Sequence, residues 1–327
     1  MYSNAAAVFR ADLTGALVEQ ASEWESGLIG VKALPVINVD AKTGQYPIFN
    51  LAAGNLLRNT VKARAPLTAF PRQHRAYDQG TYATQEYGIE EAVDDTQQLD
   101  LARYFDAETL AAKLAMRSVM LAHEVRAAAV INNTGNWGTG TGTNSSVAYT
   151  VANIATFDIG LDVEEALERI RGRGENANNA SVIMSSAMFL RARASTKLQN
   201  RLRGIGVSSD TILNVAEQAV AEALGVKEVL VGRNYYDASN QGTTFSSTAV
   251  WGNTYVWVGN VGAGGSTMNM FGGGGAFTLN WGQYGPPFAV ETYRDENITG
   301  DIVRSKQHVT EKIVNSNAGT VIVTQYS

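Results

Sequence analysis

The chain has 327 residues and no cysteine, which excludes disulfides, thiolate catalysis and cysteine-ligated zinc. Its 26 basic and 31 acidic residues give a formal charge of −5, which argues against a dedicated nucleic-acid binder with a basic face. Only 17% of residues are charged while 45% are apolar, a balance that a large oligomer would explain.

No run approaches the length of a membrane span, and the N-terminus lacks the basic start and apolar run of a signal peptide. The first 40 residues read as an arm. Leu13, Leu17 and Ala21 predict a helix over Ala11–Trp24, and Val31–Val36 reads as extended chain. Neither piece makes a core, so the arm is expected to lie on another surface.

Residues 41–100 carry a sharp charge switch. Lys42, Arg58, Lys62, Arg64, Arg72 and Arg75 stand without an acid up to Tyr77. Asp78, Glu86, Glu90, Glu91, Asp94, Asp95 and Asp100 then follow without a base. Asp78-Gln79-Gly80 reads as a turn, and Val61–Ala65 and Thr81–Tyr87 read as strands on either side. The segment therefore reads as a long hairpin with a basic and an acidic branch. The branches could pair with each other. With few large aliphatics the hairpin buries little by itself, so it is also expected to lie on a neighbouring subunit, where charge sets register and partner choice.

A long helix follows over residues 106–132, with Asp106 as N-cap and Glu108 in the first turn. Leu110, Leu114, Leu121 and Val125, widened by Met116 and Met120, are its expected buried stripe. The Gly138–Thr143 stretch reads as a loop. Asp162 is the expected cap of a helix over Val163–Arg171. An α/β pattern comes next: strand Ser181–Ser185, helices Ala187–Ala194 and Lys197–Arg203, a helix Thr211–Leu224 capped by Asp210 and ended by Gly225, and strand Val226–Val231. Strands over Val250–Val258, Phe277–Trp281, Phe288–Arg294, Asp301–Val314 and Thr320–Thr324 finish the chain.

Motifs that would carry chemistry do not assemble. Gly138, Gly140 and Gly142 lack the spacing and context of a dinucleotide loop, and Gly272–Gly275 lacks the Lys-Ser/Thr of a phosphate loop. His123-Glu124 is followed at position 127 by alanine, so the two-histidine zinc helix fails, and His74 and His308 are scattered. No Gly-x-Ser-x-Gly elbow occurs. No catalytic residue, cofactor site or metal site is expected.

The order of parts is arm, charged hairpin, long helix, compact α/β unit and late strands. It resembles the major capsid protein of tailed bacteriophages, the Hong Kong 97-type fold. The resemblance is carried by Gln85-Glu86-Tyr87-Gly88-Ile89-Glu90-Glu91-Ala92-Val93-Asp94-Asp95 leading to Leu121-Ala122-His123-Glu124, by Val182-Ile183-Met184-Ser185 with Phe189 and Lys197-Leu198, and by Ala223–Arg233. It is one of architecture and loose pattern over nearly the whole chain.

The resemblance implies an α+β fold with an N-terminal arm (1–40) and an extended β-hairpin loop (41–100). It further implies a peripheral domain with a long spine helix (101–180 and 285–315) and an α/β axial domain (181–284 and 316–327). It implies a non-enzymatic subunit that self-assembles into the pentamers and hexamers of an icosahedral shell around double-stranded DNA. The expected partners are copies of itself, a separate scaffolding protein, a portal and a decoration protein, with the DNA held without sequence-specific contacts. The expected location is the virion, after assembly in the host cytoplasm. The expected assembly residues are Lys62, Arg64, Arg72, Arg75, Glu86, Glu90, Glu91, Asp94 and Asp95, with Arg72 and Arg75 facing a neighbour's acids. Two other readings stay open: the shell of a cellular encapsulin-like nanocompartment, and an α/β enzyme or sugar-binding module with a glycine-lined pocket.

Overall fold

The computed structural model describes residues 8–9, 27–48, 59, 61, 63–70, 72, 78–101, 106–138, 143–145, 147–207, 216–240, 242–271 and 273–326. The helix expected over Ala11–Trp24 lies outside the described residues, as do Asp210 and most of the glycine–threonine loop.

In chain order, β1 (Val8–Phe9) precedes a short helix α1 (Gly30–Ala33) and strands β2 (Val36–Val39), β3 (Thr43–Ile48), β4 (Asp78–Ala83) and β5 (Gln85–Asp94). Helices α2 (Asp95–Leu101) and α3 (Ala107–Ile131) follow, then β6 (Thr143–Asn144), α4 (Ile159–Gly172) and β7 (Ala180–Ser185). Next come α5 (Ser186–Ala194), α6 (Thr196–Gly204), α7 (Glu217–Leu224), β8 (Glu228–Gly232), β9 (Tyr235–Asp237) and β10 (Ser247–Ala249). Strands β11 (Tyr255–Asn260), β12 (Ala276–Trp281), β13 (Ala289–Asp295), β14 (Gly300–Ile313) and β15 (Gly319–Val323) complete the chain.

Two sheets organise these elements. In the first, β14 is central: β5 pairs along one edge, and β13 and then β12 pair along the other, all antiparallel. Strand β1 extends the sheet beyond β13, and β2 pairs in parallel with β12. The second sheet runs β6-β15-β11-β7-β8, with β7 and β8 parallel. The first sheet cuts across the expected division of the chain, since it draws β2 from the arm, β5 from the hairpin region and β12 from the axial stretch.

Helix α3 joins the sheets. Asp106 caps it, accepting from Glu108 N at 3.2 Å, and its bounds match the expected helix closely. Its N-terminal half packs Ala107, Ala111, Ala112, Met116 and Met120 with Val290 and Val303 of the first sheet. Its C-terminal half packs Ala127, Ala128 and Ile131 with Ile183, Leu230, Trp257 and Val321 of the second. The buried face thus rotates along the helix. The expected leucine stripe is corrected: Met116 and Met120 are buried, but Leu110 is 40% and Leu114 46% exposed, with Leu121 and Val125 only partly covered. Small alanine side chains let the helix lie close on two sheets, and that closeness decides the packed face. The opposite face of the second sheet carries α4–α7, through Ile159, Leu167, Met188, Leu202 and Leu224 among others.

Five local expectations are also corrected. Asp78–Gly80 is strand, not turn: β4 pairs with β3 from Ile48↔Asp78 to Thr43↔Ala83, and Val61 and Ala63–Ala65 lie in no strand. Glycine is used here to admit aromatic rings. A Cβ on Gly80 would meet Tyr46 Cζ at 2.6 Å, and one on Gly44 would meet Tyr82 Oη at 2.8 Å, so each glycine lies under a cross-strand tyrosine. Residues 30–33 are helical rather than extended. Asp158, accepting from Leu161 N at 3.1 Å, caps α4 in place of Asp162, which is buried and accepts from Tyr149 Oη at 2.6 Å. Helix α7 begins only at Glu217, because Ala216 is extended (φ −65°, ψ 153°). The span 250–258 is broken by a turn before Tyr255.

Candidate assembly surfaces

The β3–β4 ribbon is held at its base. Thr84 donates to Lys42 O through both its backbone N (2.9 Å) and its Oγ1 (3.0 Å). Tyr46, with Ile48 and Tyr82 beside it, packs on Ile37, Val39, Met270, Phe277, Leu279 and Val314. Residues 49–77 form an excursion between these paired strands, and among its described residues Val61 is 86%, Phe70 69% and Leu67 fully exposed. Large apolar groups left in water along one segment mark a candidate contact surface.

Of the expected basic residues, Lys62 and Arg75 lie outside the described residues. Arg72 is exposed. Arg64 is exposed too, with its guanidinium 4.7 Å from the Phe70 ring centre and its Nη1 donating to Thr68 O at 3.0 Å.

The acidic residues fall on β5 and the start of α2, and their counter-charges come from β13 and β14. Asp95 accepts two hydrogen bonds from Arg294, at 2.6 and 2.7 Å. Glu90 accepts from Arg304 Nη1 at 3.4 Å, and Arg304 Nη2 also donates to Glu291 at 2.6 Å. Glu86 accepts from Tyr284 Oη. Glu91 is half-buried opposite Val303, and Asp94 accepts from Thr96 N at 2.8 Å. Glu90 and Asp95 thus find counter-charges on β14 and β13, while Arg58, Lys62 and Arg75 of the basic branch lie outside the described residues. Arg294 holds the Asp95 carboxyl below the usual carboxylate range, chiefly through its hydrogen bonds.

Two titratable groups of α3 are buried. Glu124 Oε1 accepts from Ile29 N (2.9 Å) and Trp251 Nε1 (2.6 Å), while Oε2 accepts from Gly30 N (2.5 Å). One carboxylate thereby joins the arm's exit, the long helix and the turn after β10. Burial pushes its pKa up against these hydrogen bonds. A Cβ on Gly30 would sit 2.5 Å from Oε2, so a side chain there would displace the carboxylate from its donors. Sequence reasoning weighed Glu124 as a zinc-motif residue and as part of the resemblance, and gave it no structural role. Its signal was the absence of any charged residue three or four positions away on an alanine-rich helix.

His123 is buried beside it, with Nε2 3.1 Å from Thr278 Oγ1, Glu311 at 3.9 Å and Phe288 edge-on. Burial, then the nearby charge of Arg126, lowers its pKa to about 3. Unfolded chains take up this proton near pH 6.5, whereas the fold refuses it until about pH 3. Stability is therefore lost as pH falls through that window, by a few kcal/mol from this group. In His123→Gln, which keeps a partner for Thr278, the decline in melting temperature between pH 6.5 and 4 should be shallower. Parallel curves for variant and wild type would refute the assignment.

No protein-family model matches the chain, and no curated protein matches it in sequence. Solved structures do. A phage-related protein from Bordetella bronchiseptica RB50 is 21% identical, with a TM-score of 0.66 over 97% of both chains. The capsid of the cyanophage P-SCSP1u is 12% identical, with a TM-score of 0.57 over 89% of this chain and 86% of that one. This chain has the Hong Kong 97-type capsid fold. A virus-like particle from Pyrococcus furiosus shares it at 13% identity, with a TM-score of 0.52 over 95% and 97% of the two chains. Among the described residues no helix is long and apolar enough to cross a membrane.

Proposed function

We propose that the chain is a major capsid protein: a non-catalytic subunit that closes into pentamers and hexamers of an icosahedral shell around double-stranded DNA. The observation that carries this reading is the whole-length match to a phage-related protein and to a phage capsid. The exposed Val61, Leu67 and Phe70 between β3 and β4 support it, because apolar groups in such a segment gain stability by packing against another surface. Head-to-tail contacts that close give rings, and further contacts close the shell.

In this reading residues 1–40 are the arm, 41–100 the extended loop, 101–180 with 285–315 the peripheral domain, and 181–284 with 316–327 the axial domain. Strands β5 and β12 complete the peripheral sheet. The assembly charges are Lys62, Arg64, Arg72 and Arg75 of one subunit, set against Glu86, Glu90, Glu91, Asp94 and Asp95 of the next. The acids already engaged by β13 and β14 are then shared across the contact. A scaffolding protein, a portal and a decoration protein complete the particle, which assembles in the host cytoplasm. A net charge of −5 suits a wall that holds DNA without binding it tightly.

The test is electron microscopy of the expressed chain, alone and with its scaffolding partner, beside the double variant Arg72→Glu/Arg75→Glu. Wild type should form closed shells, and the variant should remain folded but yield few. A wild type that stays a 35.0 kDa monomer under every condition would overturn the reading. Normal shells from the variant at low salt would remove the electrostatic role of the ribbon.

The Pyrococcus furiosus particle keeps a second reading in view, a cellular compartment of the encapsulin-like kind. Shells that capture a cargo protein through a peptide and hold no DNA would favour it.

A further inference from the structure

The axial unit carries a plug and a socket. The plug is the β9–β10 prong, paired from Tyr235↔Ala249 to Asp237↔Ser247. Its tip is pre-organised. Asp237 Oδ1 accepts from Ser239 N and Ser246 N, both at 3.0 Å, and Ala238 N donates to Ser246 O at 3.0 Å. Thr243 Oγ1 donates to Asn240 O at 2.6 Å, and Gly242 takes the left-handed conformation (φ +85°) that the turn requires. On this braced tip Phe245 is 70% exposed. A rigid prong that keeps an aromatic ring in water has already met the ordering cost of binding, and such residues anchor interfaces.

The socket is a cleft of about 850 Å³ between α5 and the start of α7. Phe189, Leu190, Val231 and Tyr326 form its apolar wall, and Leu190 is 60% exposed. Arg193 and the Arg233–Glu217 ion pair also line it. Arg193 Nε is buried with no acceptor, an unmet donor that costs free energy until one arrives. Tyr235, the foot of the prong, lines the same cleft, so the prong stands beside the socket and leaves Phe245 outside it.

We propose that Phe245 of one copy enters this cleft on a second copy, linking neighbouring axial units head to tail. Shape and charge both select this occupant. The prong offers one aromatic ring ringed by hydroxyls, amides and backbone carbonyls. Its one charged residue over 235–249 is Asp237, against a cleft whose charges are Arg193 and the Arg233–Glu217 pair, one net positive charge. The carbonyls of the tip are acceptors of the kind that the Arg193 guanidinium, 4.9 Å from the Phe189 ring centre, can take at the cleft wall. A plug on one copy seated in the socket of the next is a heterologous contact, which closes into a ring where the rotation between copies allows. The inference rests on the shell reading and adds the residues of one contact.

The natural absence of cysteine makes the test clean. Phe245→Cys/Leu190→Cys, assembled and then mildly oxidised, should give a ladder of disulfide-linked multimers ending at the ring size, while each single variant gives dimers at most. Phe245→Ser should cut shell yield at least tenfold with an unchanged melting transition. Shells without the ladder, together with normal yield from Phe245→Ser, overturn the pairing and leave the shell reading standing. A wild-type chain that never assembles overturns both. A ladder in a soluble ring that never closes into a shell supports the pairing and overturns the shell.

Discussion

Glu124→Ala should destabilise the fold by about 5 kcal/mol, since three buried donors lose their acceptor at roughly 1–3 kcal/mol each. The donors are Ile29 N, Gly30 N and Trp251 Nε1, and none can turn to solvent because Ile29 and Trp251 are themselves buried. Glu124→Gln should cost less: its oxygen still accepts, but its amide N–H₂ points at a donor. Urea melts of the three proteins check the order wild type, Gln, Ala. Limited proteolysis supplies a second readout, because loss of the carboxylate frees the chain around residues 27–34 before the sheets open. An alanine variant within about 1 kcal/mol of wild type would show that the carboxylate does not hold the joint.

Replacing residues 49–77 by Asn-Gly should abolish shells and leave the subunit folded. Ile48 and Asp78 face each other as the last pair of an antiparallel ribbon, which a two-residue turn can close. The base keeps its support from Tyr46 on Ile37, Leu279 and Phe277. The melting temperature should move by no more than a few degrees, while sedimentation should show only small oligomers. Closed shells from the shortened chain would mean that the excursion is dispensable for assembly.

Local signals were legible in the sequence, and remote pairings were not. Asp106 marked the start of α3 because a cap acts within one turn, and Gly225, left-handed at φ +67°, marked the end of α7 for the same reason. The choice of packed face on α3 failed, because hydrophobicity favoured the leucines while the close fit against two sheets favoured alanine. The charge switch at 77–78 was real, but its acids meet Arg294 and Arg304, some two hundred positions along the chain. No period in the sequence encodes that register. Gly80 was misread because glycine serves turns and cross-strand tyrosines alike, and only the partner strand distinguishes the two. The plug and socket were invisible, since nothing in the sequence around Phe245 signals that its ring stays exposed.

The first sheet has a consequence for the order of events during synthesis. Strand β2 finds its parallel mate only at residues 276–281, and β5 finds its mate only at 300–309. The second sheet waits for β15 (Gly319–Val323). A nascent chain on the ribosome therefore holds unfinished sheet edges until residues 300–323 have emerged, and folding is slow, as for any topology dominated by distant pairings. Those open edges are sites of mispairing until their late partners arrive, so the interval before the last strands emerge is the one in which the chain most needs protection.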